Sequence, residues 1–534
     1  MSETTRPPVW DLLPRSAAGD RNPWLIAVVL SIATFMEVLD ASIANVALRN
    51  IAGSLAASLD ESTWILTSYL VSSAVVLPIS GWLAGVVGRK RFYMLCIATF
   101  TASSILCAMA PNLQSLIACR ILQGLGGGGL APVEQSMLAD TFPARQRGQA
   151  FALYGLAVIV APTIGPTLGG WLTDHLSWHW IFLINGPVGV ISLFLVQWLV
   201  QEPEILQRER LARLAGGLKV DWLGFLLVAL CLGSLEIVLD KGVEDDWFSS
   251  NFIVTFATIT LVSFLLLVPW ELSHDDPIVD LRLFGRRQFA TCVGLMFAIG
   301  AILFSSTQLL PQLAQTNFQY TATLSGLALM PGGLAMALMM PVAGFLSSQV
   351  APRYLIGCGL TLVAVAMWHL TSLSPDATFG FFAWARIYQT VGLPLLFVPI
   401  LSSSYVGLPP NKTDQASALM NVSRNIGGSM GISLANTVLA NGAQIHQNYL
   451  TDNLIPSSPA YQQMLQDAIA RFSAVASPPD AVQRAYALIE QIVQQQATLL
   501  SYIDVFALTA IVAAVLAPIA LLLLRAQRTT ALPA

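Results

Sequence analysis

Long apolar runs separated by short polar connections dominate this chain. A bilayer core of ~30 Å needs about 20 mostly apolar residues per spanning helix. By that measure, runs fall near 24–48, 63–83, 92–110, 113–136, 149–172, 180–200, 221–241 and 251–270, then near 289–312, 323–347, 353–372, 379–405, 414–438 and 501–524. The pattern predicts an all-α integral membrane protein with fourteen transmembrane helices. One connection differs. Residues 441–500 are polar, Gln-rich and interrupted by Pro456, Pro459, Pro478 and Pro479. Amphipathic stretches from Tyr461 to Phe472 and from Ala481 to Gln496 fit a small helical hairpin there, and a plain long loop fits equally.

Basic residues orient the spans, because cytoplasmic connections collect Lys and Arg. With the N-terminus inside, nineteen of the 26 lie in cytoplasmic segments and four (Arg49, Lys241, Arg471, Arg484) on the opposite side; Arg120, Arg386 and Arg424 lie within helices. Both termini are therefore expected in the cytoplasm and 441–500 outside. Residues 1–23 mix Arg and acid before a run long enough to span, which reads as a retained first helix and not a cleaved signal.

Composition removes other classes. Charged residues are 10% of 534 and hydrophobic ones 55%; a soluble domain carries roughly 25% charge. Disorder is excluded by the same figures. A net charge of −4 without a basic block excludes nucleic acid as a partner. The six cysteines lie in apolar runs without a Cys-x-x-Cys pair, so they suggest neither a metal site nor a disulfide framework.

A duplication is legible. Arg120-Ile-Leu-Gln123 recurs as Arg386-Ile-Tyr-Gln389, 266 positions on, and Gln149-Ala-Phe-Ala-Leu153 recurs as Gln415-Ala-Ser-Ala-Leu419 at the same offset. Pro78-x-x-Gly81 and Pro341-x-x-Gly344 repeat at 263. Six helices thus repeat as six, with the seventh and eighth inserted, and paired repeats with a midplane site are transporter architecture. The expected division is a cytoplasmic segment 1–23, a bundle 24–200, a linker 201–288 holding two peripheral helices, a bundle 289–524 including the outward loop, and a tail 525–534. A central cavity is expected between helices one, four, five and ten.

Ionisable side chains in hydrocarbon are costly unless paired or hydrated, so each is a functional suspect. At 1.5 Å per residue, Asp40 and Arg120 lie ~12 Å and ~10 Å from the outer ends of helices one and four, a matched depth at which an ion pair is feasible. Glu37 is one turn deeper on the same face. The three together are the candidate proton-coupling group; a conformation-holding salt bridge is the alternative for Arg120. Arg386 repeats Arg120, and Arg424 lies near mid-membrane; both are candidate structural charges. Glu134 and Asp504 sit near helix ends, where snorkelling to the interface explains them. Glu236 lies on an inserted helix and carries little functional weight. Asn45, Gln123, Met330 and Met336 are candidates for an adaptable substrate cavity, Met339 and Met340 joining them, because Met repacks around varied ligands; lipid-facing or core Met is the competing reading.

Pro162, Gly165, Pro166, Gly169 and Gly170 crowd into helix five, where they permit close approach and a bend. Gly124 and the run Gly126 to Gly129 are expected to pack helix four against helix five or one. Gly81 to Gly88, followed by Arg89, Lys90 and Arg91, marks a tight cytoplasmic turn.

These residues resemble a family. Gly81-x-x-x-Gly85-x-x-Gly88-Arg89-Lys90-Arg91 looks like the cytoplasmic signature of the major facilitator superfamily, and Arg120-x-x-Gln123-Gly124 its helix-four motif. Ala161 to Gly170 resembles its helix-five antiporter motif. Leu39 to Leu48 resembles the helix-one motif of the fourteen-helix drug:proton antiporters, the EmrB/QacA type, and Trp178 to Asn185 at helix six fits too. The resemblance spans essentially the whole chain. Gly85 stands where the family's turn usually has an acid, proposed to latch the two halves; Arg49 follows Val46-Ala47-Leu48 where proline is common; Glu37 is an added acid.

The resemblance implies a major facilitator fold of two pseudo-symmetric six-helix bundles plus two inserted helices. It implies proton-coupled export of amphipathic, often cationic drugs or toxic compounds across the inner membrane, without cofactor, and no enzyme. A periplasmic adaptor and an outer-membrane channel are partners such exporters can take. An exporter of one specific metabolite or natural toxin is the alternative. No phosphate-binding P-loop is present, which disfavours an ATP-driven pump.

Overall fold

The computed structural model describes residues 22–202, 207–208, 210–211, 215, 220–274, 276–409, 412–475 and 477–523. Among these every regular element is helical. The first half contains α1 (Pro23–Ser54), α2 (Leu59–Val87), α3 (Arg89–Ala108), α4 (Leu113–Gly127), α5 (Leu130–Thr141), α6 (Ala144–His175), α7 (Trp180–Leu183) and α8 (Asn185–Leu199). Then come α9 (Trp222–Lys241) and α10 (Asn251–Ser273). The second half contains α11 (Arg287–Thr316), α12 (Ala322–Ser347), α13 (Pro352–Leu370), α14 (Phe379–Gly392), α15 (Pro394–Ser404), α16 (Thr413–Asp452), α17 (Pro459–Ser473) and α18 (Pro478–Leu523).

Local chemistry sets the ends and breaks. Asn22 caps α1 by accepting from the Trp24 amide, and Ser58 with Glu61 closes a capping box on α2. The fourth apolar run breaks between α4 and α5 at Gly128 and Gly129, residues with little helix preference. The twelfth breaks between α14 and α15 at Leu393-Pro394, at the matching place in the repeat, because proline lacks an amide hydrogen.

Twelve helices among the described residues are long and apolar enough to cross a membrane, and a thirteenth span results if Ala144–Pro162 and Ile164–His175, bent by 41°, count as one. The run predicted at 414–438 is helical as part of α16, but its Ser, Asn, Gly and Arg424 leave it too polar to qualify by composition. The reason is its position: α16 is enclosed by α2, α5, α11 and α18. The terminal segments 1–21 and 524–534 lie outside the described residues.

In the first half α1 packs on α6 and α8, and α4 on α2 and α3; in the second, α11 packs on α16, α12 on α14 and α13 on α18. The halves meet where α6 lies along α12 and α15, and where α2 and α5 lie along α16. The inserted α9 rests on α2 and reaches α16, while α10 packs chiefly on α9. Only 11% of the apolar window of α10 is buried, so its surface suits lipid.

At ~1.5 Å per residue, α18 is about 69 Å long, twice the hydrocarbon thickness. Its first part packs with α17 through Leu465, Ala468, Ala485 and Ile489. Of the two readings of 441–500, the helical hairpin is the one present, with α16 extended to Asp452.

Candidate functional site

α1, α4 and α8 deliver the central constellation. Arg120 Nη1 donates to Asp40 Oδ2 at 2.6 Å and to Gln123 Oε1 at 2.7 Å, and its Nε donates to the Ile65 carbonyl at 3.1 Å. Asp40 Oδ1 accepts from Gln123 Nε2 at 3.0 Å and Asn185 Nδ2 at 2.6 Å. Asp40 is 2% exposed and Arg120 fully buried. Such a pair is tolerable in low dielectric only when most of its remaining lone pairs and protons are also met, and the Gln123 and Asn185 side chains and the Ile65 carbonyl do this here. The Arg120 Nη2 has no hydrogen-bond partner among the described residues.

Tyr69 of α2 joins this pair to Glu37. Its ring lies 4.3 Å from the Arg120 guanidinium carbon and its hydroxyl donates to Glu37 Oε1 at 2.9 Å. Phe182 covers the other approach, 5.6 Å away. Glu37 is half-buried. Sequence reasoning did not single out Tyr69, because a Tyr in an apolar run carries no depth signal of its own. Asn185 was quoted only as part of a motif; the break between α7 and α8 beside it was the available sign.

Other intramembrane charges are distributed differently. Glu134 does not snorkel: it is fully buried, accepting from Ser31 Oγ at 2.6 Å and from the Thr34 hydroxyl. The helix-four break turns α5 inward against α1 and α16, which carries Glu134 away from the interface. Glu236 on α9 accepts from Ser429 of α16 at 2.7 Å, so the inserted helix is bonded to the second half as well as to α2, where Thr67 donates to Asp240. Arg386 Nη1 donates to Gln389 Oε1 at 2.8 Å and Nη2 to Thr307 Oγ1 at 3.0 Å. Arg424 donates to the Tyr154 hydroxyl at 3.2 Å, tying α16 to α6. Asp504 lies 2.7 Å from His446 Nε2, half exposed.

The glycines of helix four face chiefly α2 and α3, and Gly127 also reaches Glu37 of helix one, one of the two expected partners. A Cβ on Gly124 would meet Tyr69 O at 2.5 Å, and one on Gly126 the Phe100 amide at 2.6 Å. In α6, Gly165 and Gly169 abut Ser42 and Ile43 of α1, Gly170 abuts nothing, and the Pro162 carbonyl, placed by the bend, accepts from Ser42 at 3.4 Å. Pro166 is half-buried. Met336 and Met340 are 1% exposed, part of the core, so neither offers free surface in this conformation; Met330 is 47% exposed, and Asn45 is exposed. Gln123 is fully committed to Asp40 and Arg120.

At the other end of the bundle, Gly88 holds φ +101°, a left-handed value. This turn presents the Arg89 amide to Glu202 Oε1 at 3.0 Å and its guanidinium to Asp140 and to Asp414 Oδ1 at 2.7 Å. Arg210 donates to Glu202 at 2.9 Å, and Lys90 to the Gln197 carbonyl at 2.8 Å. A contact between halves is therefore made despite Gly85: Arg89 reaches the Asp414 of the second half directly. A Cβ on Gly81 would stand 3.0 Å from the Asp414 and Gln415 backbone.

A polytopic helical bundle with a duplicated Arg-x-x-Gln, a membrane-buried Asp–Arg pair and an Arg-linked seam between halves defines a class of membrane transporter. The family model described as Major Facilitator Superfamily matches residues 30–432, and the chain belongs to that superfamily. The chain is a multi-pass membrane protein. It is 38% identical over 453 residues to the multidrug export protein EmrB of Haemophilus influenzae, covering 83% of this chain and 86% of that one. Identity to the multidrug export protein EmrB of Escherichia coli K12 is 36% over 444 residues, 82% and 85% of the two chains. The crystal structure of the human organic anion transporter MFSD10 superposes with a TM-score of 0.57 at 13% identity, covering 92% of this chain and all of that one, a likeness of fold.

Proposed function

We propose that this chain is an inner-membrane, proton-coupled antiporter that exports amphipathic, often cationic drugs from the cytoplasm, using fourteen spans with both termini inside. It is not an enzyme, needs no cofactor, and passes substrate to a periplasmic adaptor and outer-membrane channel. The kinship to multidrug export proteins supports the substrate class. The observation that carries the coupling is the buried Asp40–Arg120 pair at 2.6 Å, with Glu37 linked through Tyr69. Asp40 of α1 accepts from Arg120 and Gln123 of α4 and from Asn185 of α8, so movement of α1 against those helices would break these bonds. Proton and substrate then compete through a reciprocal coupling and need not share one atom.

The test uses purified protein in vesicles of known orientation with ethidium. The expected result is proton-driven uphill accumulation in wild type that fails in Asp40→Asn, with dye binding retained, and proton release on dye addition reduced in that variant. Wild-type release and pumping in Asp40→Asn would move the coupling elsewhere. Indifference of wild type to a panel of dyes would favour the single-metabolite exporter.

A further inference from the structure

From Leu25 to Asp40, α1 carries four polar side chains in an otherwise apolar run: Ser31, Thr34, Glu37 and Asp40. They recur every third residue, so each is a surface neighbour of the next and the file winds as it follows the helix. From Asp40 to Ser31 it covers ~14 Å of depth at 1.5 Å per residue.

Because the file winds, its members face different helices. Asp40 meets α4 and α8. Glu37 accepts from Tyr69 of α2, and a Cβ on Gly127 of α4 would stand 3.4 Å from the Glu37 Cγ. Thr34 and Ser31 both donate to Glu134 of α5. Glu37 and Glu134 lie within electrostatic reach of one another. Asp40, Tyr69 and Arg424 of α16 also face Glu37, while Tyr93 of α3 and Tyr154 of α6 face Glu134. Neither glutamate belongs to an ion pair among the described residues.

Glu134 carries the file onward to the Arg89 end of the bundle. Met137 and Asp140 follow it on α5 at the same three-residue spacing, and both line a cavity of about 30 Å³ with Ile26 of α1 and Arg89. That volume is room for one water. Beyond it the Arg89 seam is closed, so Glu134 is the last acid of the file before the closed end. Two donating hydroxyls do not by themselves call for a carboxylate there. A carboxylate buried without a cation is costly, and a neutral amide would accept from one hydroxyl at lower cost. What the carboxylate alone adds is a proton-binding group.

We propose that Glu134 is the inner proton station of this file, taking a proton from Glu37 and passing it toward the cytoplasm. In that step one O–H bond breaks at the Glu37 carboxyl and one forms at the Glu134 carboxylate, and the negative charge moves back to Glu37. The inference rests on the proton-coupled reading above and extends its acids from two to three. Asp40 and Glu37 serve the outer side, and Glu134 governs release to the inner one.

The test uses the full-length protein in vesicles with ethidium. Glu134→Gln should bind ethidium and equilibrate it downhill as wild type does, while proton-driven uphill accumulation falls by roughly tenfold or more, the scale of a lost proton-transfer group. Protons moved per ethidium exported should fall with it, and Glu134→Asp, which keeps the titration, should restore accumulation in part. Infrared difference spectra of purified protein on ethidium addition should show a carboxyl C=O change in wild type, part of which is absent from Glu134→Gln. Wild-type accumulation at the wild-type proton ratio in Glu134→Gln overturns the proposal. So does equal loss of downhill and uphill movement in Glu134→Gln without rescue by Glu134→Asp, which would make the carboxylate a tie between α1 and α5 only. An infrared change identical in wild type and Glu134→Gln overturns it as well. Should Glu134→Gln fail to fold, Glu134→Asp decides alone: a displaced pH profile of uphill export is expected, and an unmoved one overturns the proposal. Failure of wild type to accumulate ethidium under a proton gradient defeats the coupling reading itself, whereas coupled export by both wild type and Glu134→Gln defeats only the inner station.

Discussion

Gly81 and Gln415 touch backbone to backbone: a Cβ built on Gly81 would stand 3.0 Å from the Gln415 Cα. The same relationship recurs between Gly344 and Gln149, again at 3.0 Å. The four residues are the ones whose motifs repeat at offsets of 263 and 266, so the seam between halves is closed at the Arg89 end by two copies of one contact. Backbone cannot move aside as a flexible side chain can. Gly81→Leu is therefore expected to force the halves apart at that end, where overpacking costs ~1–3 kcal/mol. Distances between spin labels placed across the seam should lengthen and ethidium export should fall. Unchanged distances with full export would refute the clasp.

Arg89 holds the same seam electrostatically. Its guanidinium lies between Asp140 of its own half and Asp414 of the other, with its side chain 5% exposed. Arg89→Gln leaves two carboxylates facing one another, whereas Asp414→Asn leaves Arg89 still paired with Asp140. Removing one member of a buried pair costs about 3–5 kcal/mol, and partial exposure of the acids reduces that. The thermal unfolding midpoint in detergent should fall clearly for Arg89→Gln and less for Asp414→Asn. The reverse order would contradict the arrangement.

Much of the fold was legible because lipid imposes one simple rule on length and polarity. Each of the predicted runs is helical, those near 113–136, 180–200 and 379–405 as two helices in succession, and the one that fails the composition test, in α16, is the one whose neighbours on several sides are protein. Depth arithmetic brought Asp40 to Arg120, since both counts start from helix ends that polar connections reveal. Rotation about a helix axis was less legible. The glycines of α4 turn chiefly toward α2 and α3, with Gly127 also reaching α1, and Glu134 turns inward to Ser31 and Thr34 because the break at Gly128 and Gly129 resets the helix direction in a way that spacing does not record. Met336 was placed by residue type alone, and packing against the core decided otherwise. The acid missing at Gly85 suggested a lost latch, but Arg89 has a second acid, Asp414, 325 positions away in sequence.

Tyr69 makes two separable contributions. Phe at this position keeps the ring beside Arg120 and removes the hydroxyl from Glu37; Leu removes both. A hydrogen bond to a charged group is worth about 1.5–3 kcal/mol, and a desolvated cation–π contact about 2 kcal/mol. Uphill ethidium export in vesicles should therefore decline in the order wild type, Tyr69→Phe, Tyr69→Leu. Equal activity of the two variants would show that the ring over Arg120 does not matter.

The burial of Glu134 separates two readings by substitution. A snorkelling carboxylate would tolerate lysine, whose long stem also reaches the interface. The observed one cannot, because Ser31 and Thr34 enclose it. Gln keeps an acceptor for one hydroxyl and offers its amide to the other, so Glu134→Gln should unfold close to wild type. Glu134→Ala removes both acceptors and leaves a void, costing about 2–4 kcal/mol. Glu134→Lys should not accumulate in folded form. Size-exclusion profiles and thermal unfolding in detergent check the order, and a well-folded lysine variant would return Glu134 to the interface.

The α17–α18 hairpin packs through its own small core, and α18 is too long for all of it to lie in hydrocarbon. Leu465 and Ile489 face each other across that core, 9% and 5% exposed. An aspartate at either position buries a charge among apolar side chains, which opens the hairpin locally. The break should remain local, because α17 packs on α18, whereas α18 bonds to α16 at Ser501–Leu439 and meets α13 at Leu521–Gly357, beyond the hairpin core. Limited proteolysis of Leu465→Asp or Ile489→Asp should therefore cut within residues 453–480 far faster than in wild type. Ethidium export by the same variants in vesicles should stay within about twofold of wild type, since the Asp40–Arg120 pair and the Arg89 seam share no residue with the hairpin. A large loss of export in vesicles would mean that the hairpin takes part in the transport cycle itself.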